Sequence, residues 1–314
     1  MFLLFRLLQR RWREHQARAG QAPGGQAPGG RPGAGPRKSS ASGSPSATGP
    51  SAAARGPLVL LGHQLRFDLL ASARNPRARF FTFLFPISLL VIFVGLFGHG
   101  TTVVDGVTVK LSRFFVPGIL ALSIISAAYA SLVVSVATAR ETGILKRRRA
   151  TPVPAWVLVG GQALSTLVIA AAMAVILLVI AKLLYHVGFG PGALVAIACT
   201  IILGTLAFAC VGFAVAGLIG SLDAAQPIVQ ATLFPLYFIS GVWIPTQSLS
   251  HTLRSIGSLF PVEHLAAALH LASVKGSFAS AISPTDLLVL AAWALAATVF
   301  AAWRFSWLPS TATA

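Results

Sequence analysis

Apolar residues occur in six long runs that are separated by shorter polar or charged segments. The runs lie near residues 80–98, 114–138, 157–184, 193–219, 227–245 and 287–303. A helix needs about 20 residues, at ~1.5 Å each, to cross the ~30 Å hydrocarbon core of a bilayer. Each run is close to that length or exceeds it. The pattern therefore predicts an all-α membrane protein with six transmembrane helices.

Two amphipathic regions accompany these runs. Residues 58–75 carry leucines at helical spacing and end before Pro76, which favours an interfacial amphipathic helix leading into the first span. The segment 246–286, between spans five and six, also repeats apolar residues at helical spacing. It predicts two short external helices rather than an open loop. Glu263 lies between them, where it either caps the second helix through the helix dipole or contacts a substrate.

The first 57 residues differ in composition from the rest of the chain. Residues 20–57 consist mainly of Gly, Pro, Ala and Ser with scattered Arg. Such a segment buries too little apolar surface to offset the entropy of folding. We therefore predict two parts: a disordered, basic cytosolic extension at 1–57 and a transmembrane domain at 58–314.

Composition narrows the class of protein. Of the 314 residues, 55% are hydrophobic and only 10% are charged, which excludes a soluble globular domain. On so hydrophobic a chain, the net charge of +17 indicates orientation rather than nucleic-acid binding, because cytoplasmic loops retain Lys and Arg. Most of the 24 Lys and Arg residues lie before span one or between spans two and three. We expect a cell-membrane protein with both termini in the cytoplasm and no nucleic-acid partner.

No nucleotide-binding or catalytic motif occurs in the sequence. The glycine-rich pieces lack the Lys and the hydroxyl of a phosphate loop, and neither G-x-S-x-G nor H-E-x-x-H is present. The histidines near Glu263 do not match a metal-ligand spacing. We expect that the chain is not an enzyme and that it binds no metal or cofactor itself.

A charged segment between spans two and three carries the most specific pattern. Residues 140–147 read RETGILKR and residues 150–153 read ATPV. This pattern resembles the signature of type 2 ABC transporter permeases, particularly the daunorubicin-resistance-like multidrug exporters. The resemblance covers about residues 58–303. Three further stretches agree with it: RNPR at 74–77, FISGVWIP at 238–245 and LFP at 259–261.

The resemblance implies a membrane subunit that forms a homodimer, or a heterodimer with a second permease, in the lipid bilayer. A separate ABC ATPase subunit, which binds ATP and Mg²⁺, would dock on it from the cytosol. A cytosolic coupling helix over 139–149, ended by the prolines that follow, would transmit its motion to span three. The alternative is that the basic residues only anchor this loop at the membrane. The predicted ATPase-coupling residues are Arg140, Glu141, Gly143, Leu145, Lys146, Arg147, Thr151 and Pro152.

The function that this resemblance implies is ATP-driven export of a hydrophobic or amphipathic compound, such as a drug, an antibiotic or a lipid. The first alternative is a non-transporting scaffold or assembly factor that recruits a soluble protein through its basic loop. The second, a secondary transporter, is disfavoured because acidic residues are essentially missing from the spans. Aromatic side chains, which more often serve packing, form the predicted substrate path: Phe85, Phe208, Phe234, Tyr237 and Phe238. The predicted external gate consists of Ser240, Gly241, Pro245 and Glu263.

Overall fold

Helices account for most of the computed structural model, which describes residues 57–74, 80–104, 106–143, 155–275 and 277–304. The mostly helical class predicted from the sequence is confirmed. The helices are α1 Pro57–Arg74, α2 Phe85–Phe97, α3 Leu111–Glu141, α4 Ala155–Tyr185, α5 Pro191–Ala216, α6 Leu222–Ile239, α7 His251–Gly257, α8 Pro261–Val274, α9 Phe278–Ala281 and α10 Pro284–Arg304.

Four of these helices are long and apolar enough to cross a membrane: Leu111–Glu141, Val159–Tyr185, Pro191–Ala216 and Pro284–Trp303. They correspond to the predicted spans two, three, four and six. The predicted first span contains a shorter apolar helical stretch, Thr82–Phe97. It consists of most of a π-helical turn, Phe80–Leu84, followed by α2.

The predicted fifth span, 227–245, is wrong at its C-terminal end. The helix there, α6, begins at Leu222 and ends at Ile239. Ser240 follows as the C-cap residue, and Gly241 adopts a φ of +74°, which a helix cannot contain. The residues after Gly241 fold back against the bundle and are partly buried. This burial explains why the apolar run in the sequence extends past the end of the helix.

A two-stranded hairpin that the hydrophobic pattern did not predict precedes α3. Strand β1 (Thr101–Val104) pairs antiparallel with β2 (Val107–Lys110), and Gly106 occupies the turn with a φ of +73°. We call this end of the α3 bundle the hairpin end and the other the Arg140 end. With 31 residues at ~1.5 Å each, α3 separates the two ends by about 45 Å.

The core forms around α3, whose first half is buried on nearly every side. Helices α2, α4, α5 and α8 contact it, and α10 packs along α5. Small residues allow close approach: a side chain at Gly204 of α5 would meet Leu265 of α8, and one at Gly212 would meet the backbone of α3. The amphipathic helix predicted at 58–75 is present as α1 and packs against the start of α4.

Among its described residues, the segment predicted to form two short helices contains three short α-helices and one 3₁₀ turn. Helices α7 and α8 lie where the pair is predicted, and the third, α9, is a single turn. Helix α8 is buried between α3, α5 and α10, so it belongs to the bundle and not to its surface.

Candidate functional site

Arg140 lies in the last turn of α3 and is only 7% exposed. Its guanidinium donates from Nη1 to the carbonyl oxygen of Ile219 at 2.6 Å and from Nη2 to that of Ala216 at 3.1 Å. Both acceptors lie at the C-terminal exit of α5, where helix carbonyls lack partners and the helix dipole favours a cation. Arg140 therefore fixes the end of α3 to the end of α5.

The next residue, Glu141, reaches a different helix. Its Oε2 accepts from the backbone N–H of Leu222, the first residue of α6, at 3.1 Å. The Ser221 hydroxyl, at the N-cap of α6, accepts from the N–H of Ala224 at 3.3 Å. Two N–H groups that the helix leaves without internal partners are thus satisfied, one of them by a carboxylate suited to the positive end of the dipole.

Together, Arg140 and Glu141 hold both sides of the turn between α5 and α6, residues 217–221. The cation binds the end of the preceding helix, and the anion binds the start of the following one. We call this arrangement the Arg140–Glu141 junction. Any displacement of the end of α3 must therefore move α5 and α6 with it or break these hydrogen bonds.

Gly143 ends α3 immediately after the junction. It has a φ of +70°, and its N–H donates to the carbonyl of Arg140 at 3.2 Å, while the N–H of Thr142 donates to that of Thr138 at 3.0 Å. This is a glycine-terminated helix end, because only glycine adopts that backbone conformation without strain. The prediction of one continuous helix over 139–149 is therefore wrong at Thr142 and Gly143.

Three of the eight predicted coupling residues, Arg140, Glu141 and Gly143, come together at the junction. The sequence pattern did not reveal their partners at the α5–α6 turn, although Ser221 followed by Leu-Asp-Ala was a readable N-cap signal. The remaining predicted coupling residues lie outside the described residues: Leu145, Lys146, Arg147, Thr151 and Pro152.

The aromatic residues predicted to line a substrate path do not surround one enclosed space. Phe208 and Tyr237 are buried in the main hydrophobic core. In contrast, Phe234 is 64% exposed, and Phe85 and Phe238 are also exposed. Phe234 and Phe238 pack edge to face on the outside of α6, with ring centroids 5.2 Å apart. The exposed residues Phe85, Phe234 and Phe238 can form a path only together with lipid or with another protein.

Three of the four predicted gate residues, Ser240, Gly241 and Glu263, line one cavity of about 240 Å³ at the hairpin end. Phe114 of α3 and His270 of α8 complete one wall, and Ser283 and Asp286 lie on another. Pro245 is not part of the lining; it precedes a short 3₁₀ turn, Thr246–Ser248, and accepts from the N–H of Ser248 at 2.9 Å. Gln247, on that turn, is exposed, so the cavity reaches the surface there.

His270 fixes the turn that contains Gly241. Its Nε2 lies 3.1 Å from the Gly241 carbonyl oxygen, and its ring stacks on Phe114 at 4.6 Å. A carbonyl only accepts, so Nε2 carries the proton and donates. Burial lowers the pKa of His270 to about 4, so the ring is neutral at physiological pH.

A second polar cluster closes the cavity at the start of α10. His264 Nδ1 is 2.7 Å from Asp286 Oδ1, and the Ser283 hydroxyl donates to the other carboxylate oxygen at 2.5 Å. The hydrogen bond to Asp286 raises the pKa of His264 and favours its charged form. Burial raises the pKa of Glu263, which lies beside this cluster in the first turn of α8. Within the described part of the chain, no group of three or more His, Cys, Asp or Glu side chains is placed to hold a metal ion.

A family model for the ABC-2 type transporter matches residues 62–272, about two thirds of the chain. The chain belongs to the ABC-2 type transporter family. The resemblance to type 2 ABC permeases is therefore confirmed, and with four candidate spans the chain is a multi-pass membrane protein. Comparison with curated proteins finds no match.

The match to the ABC-2 type transporter family includes both sites described above. It extends from α1 into α8, so it contains the Arg140–Glu141 junction and most of the cavity wall at the hairpin end. As an ABC-2 permease, the chain is a transport component rather than a catalytic domain.

Proposed function

We propose that this permease exports a hydrophobic or amphipathic compound from the cytoplasm and is driven by a separate ABC ATPase subunit that binds ATP and Mg²⁺. The observation that carries the proposal is the Arg140–Glu141 junction. It lies next to the segment 144–154, where the sequence resembles the coupling region of the family, and it joins three helices by specific hydrogen bonds. A force applied to that segment reaches α5 and α6 through fixed contacts.

The proposed topology has six spans, with the helices Thr82–Phe97 and Leu222–Ile239 added to the four long ones. It puts both termini and the Arg140 end in the cytoplasm of a cell-membrane protein. The supporting observation is the excess of Lys and Arg before α2 and between α3 and α4. The ATPase would then meet the Arg140 end, and the hairpin end would face outward.

A dimer, either of this chain or with a second permease, completes the proposal. Much of the surface of α4 and α10 is apolar and exposed, including Val175, Leu183, Leu288 and Leu295. Such apolar surfaces can be covered by the bilayer or by a second permease subunit. Drug or antibiotic export is the proposed physiological role, because the segment 140–153 resembles that of daunorubicin-resistance-like exporters.

The experiment is ATP-dependent transport of a fluorescent amphipathic dye into inside-out vesicles that contain the permease and its co-expressed ATPase. Glu141→Ala removes the acceptor for the α6 N-terminus, whereas Asp223→Ala removes an exposed carboxylate from the same first turn. We expect Glu141→Ala to lower transport per ATP hydrolysed while the ATPase still co-purifies, and Asp223→Ala to behave like the parent.

Two results would contradict the proposal. If the parent recruits the ATPase but transports nothing, the scaffold function is favoured instead. If Glu141→Ala and Asp223→Ala give the same transport per ATP as the parent, force does not pass through the junction.

A further inference from the structure

The cavity at the hairpin end contains buried polar atoms that the protein does not satisfy. The Ser240 hydroxyl, Glu263 Oε2 and His270 Nδ1 are all buried, and each lacks a hydrogen-bond partner among the described residues. Ser240 is 0% exposed and His270 is 6% exposed. Such atoms usually have a partner, because an unsatisfied buried polar group is costly. All three residues line the same cavity.

The chemistry of these atoms defines the occupant. His270 donates from Nε2 to Gly241, so its Nδ1 presents a lone pair. An ionised Glu263 oxygen also accepts only, and the Ser240 hydroxyl can do either. The unsatisfied set therefore consists mainly of acceptors and calls for a ligand that donates.

The charged side chains around the cavity also favour a ligand that donates hydrogen bonds. Two carboxylates, Glu263 and Asp286, line the cavity, and only Asp286 has a hydrogen-bonded basic partner, His264. His264 and, more weakly, Arg254, which is exposed on α7, also act on Glu263 through space, but neither forms a hydrogen bond to its Oε2. A half-buried carboxylate whose buried oxygen has no bonded cation favours a ligand that brings a positive charge.

We infer that this cavity is a binding site for a protonated amine, with Glu263 as counter-ion and His270 and Ser240 as hydrogen-bonding partners. A primary ammonium carries one positive charge and three N–H donors. The volume of about 240 Å³ is well above the roughly 10–15 Å³ that a cavity needs to hold one water molecule. It accommodates an amine head group, while an apolar remainder would extend past Gln247 to the surface. This inference goes beyond the proposed export function and does not depend on it.

The test is thermal unfolding of the purified full-length chain in nanodiscs of phosphatidylcholine and phosphatidylglycerol, neither of which has a primary amine. The probe is ethylammonium chloride, and the controls are ethanol, which is neutral and similar in size, and sodium chloride at equal ionic strength. We expect ethylammonium to raise the unfolding midpoint in a saturable manner, and neither control to do so.

Variants assign the effect to the cavity. Glu263→Gln keeps the shape of the side chain and removes its charge, and it should weaken the apparent affinity by about tenfold or more. Ser240→Ala should weaken it less. Asp223→Asn removes an exposed carboxylate at the Arg140 end and should leave the affinity unchanged.

The inference fails if ethylammonium produces no shift, if ethanol produces the same shift, or if Glu263→Gln binds as well as the parent. A further arm uses nanodiscs with phosphatidylethanolamine. If the added amine no longer shifts the midpoint there, the occupant is a lipid head group; if it still does, the ligand is a soluble amine. Binding is measured without ATPase or transport, so its failure is distinct from failure of the export function.

Discussion

Replacing Arg140 by Gln tests the junction most directly. The change removes two hydrogen bonds from a buried guanidinium, at 2.6 Å and 3.1 Å, and leaves the carbonyls of Ala216 and Ile219 without them. Hydrogen bonds to charged groups contribute about 1.5–3 kcal/mol each. The loss should therefore be about 3–5 kcal/mol in the free energy of unfolding.

Arg113→Gln is a matched control on the same helix. Arg113 also donates its guanidinium to a backbone carbonyl, that of Gly188, at 3.0 Å, but it makes this one bond in a more exposed position. It should cost about 1 kcal/mol or less. The loss in the free energy of unfolding for Arg140→Lys should fall between those for Arg140→Gln and Arg113→Gln. An ammonium keeps the charge but cannot form the guanidinium fork to both carbonyls.

The assay is the thermal midpoint of the purified variants in nanodiscs, followed by loss of the monodisperse peak. At roughly 2–4 °C per kcal/mol, Arg140→Gln should lower the midpoint by about 10 °C and Arg113→Gln by about 3 °C or less. Equal shifts for the two variants would refute the reasoning. The two buried hydrogen bonds of Arg140 would then contribute no more to stability than the single, more exposed hydrogen bond of Arg113.

Three further predictions use the same assay. Gly143→Ala should cost about 1–2 kcal/mol through its positive φ, and Gly143→Asn clearly less; equal costs would contradict the helix-ending role. Gly118→Ala should cost about 1–3 kcal/mol because the new methyl meets the carbonyl of Val242, whereas Gly62→Ala, in open space, should be neutral or stabilising. The raised pKa of His264 stabilises the fold fully below the unfolded value of 6.5 and ceases to do so as pH rises through the higher folded value. His264→Gln should therefore lower the midpoint most near about pH 5.5 and little near about pH 9; a constant difference would contradict this.

Length and hydropathy were sufficient to predict most of the helical architecture. Long apolar runs such as 157–184 specify a helix because the bilayer requires internal backbone hydrogen bonding. The end of α6 could not be predicted this way, since the residues after Ile239 remain apolar and a positive φ at Gly241 decides the boundary. The hairpin was missed although its signal was present: β-branched residues at 101–104 and 107–109 flank an Asp-Gly pair.

The candidate sites were predictable only in part, because their partners are distant in the sequence. The charged pair Arg140 and Glu141 was recognisable, but its partners are backbone atoms at Ala216, Ile219 and Leu222. The sequence marks the start of α6 through Ser221, but nothing in it pairs that helix end with Glu141. At the hairpin end, Glu263 was a candidate from its charge alone. The neutral state of His270 depends on burial, which appears only once α8 is packed into the bundle.

The Arg140 contacts also order events during synthesis. The acceptors for its guanidinium lie 76 and 79 residues later in the chain. At roughly 5–20 residues per second, a ribosome needs about 4–16 s to produce them. During that interval the charge must be solvated by water or lipid head groups, so the end of α3 cannot make its final contacts. The contacts of Arg140 therefore form only after α5 and Ile219 have been made, and a chain that stops before Ala216 lacks both acceptors for the guanidinium.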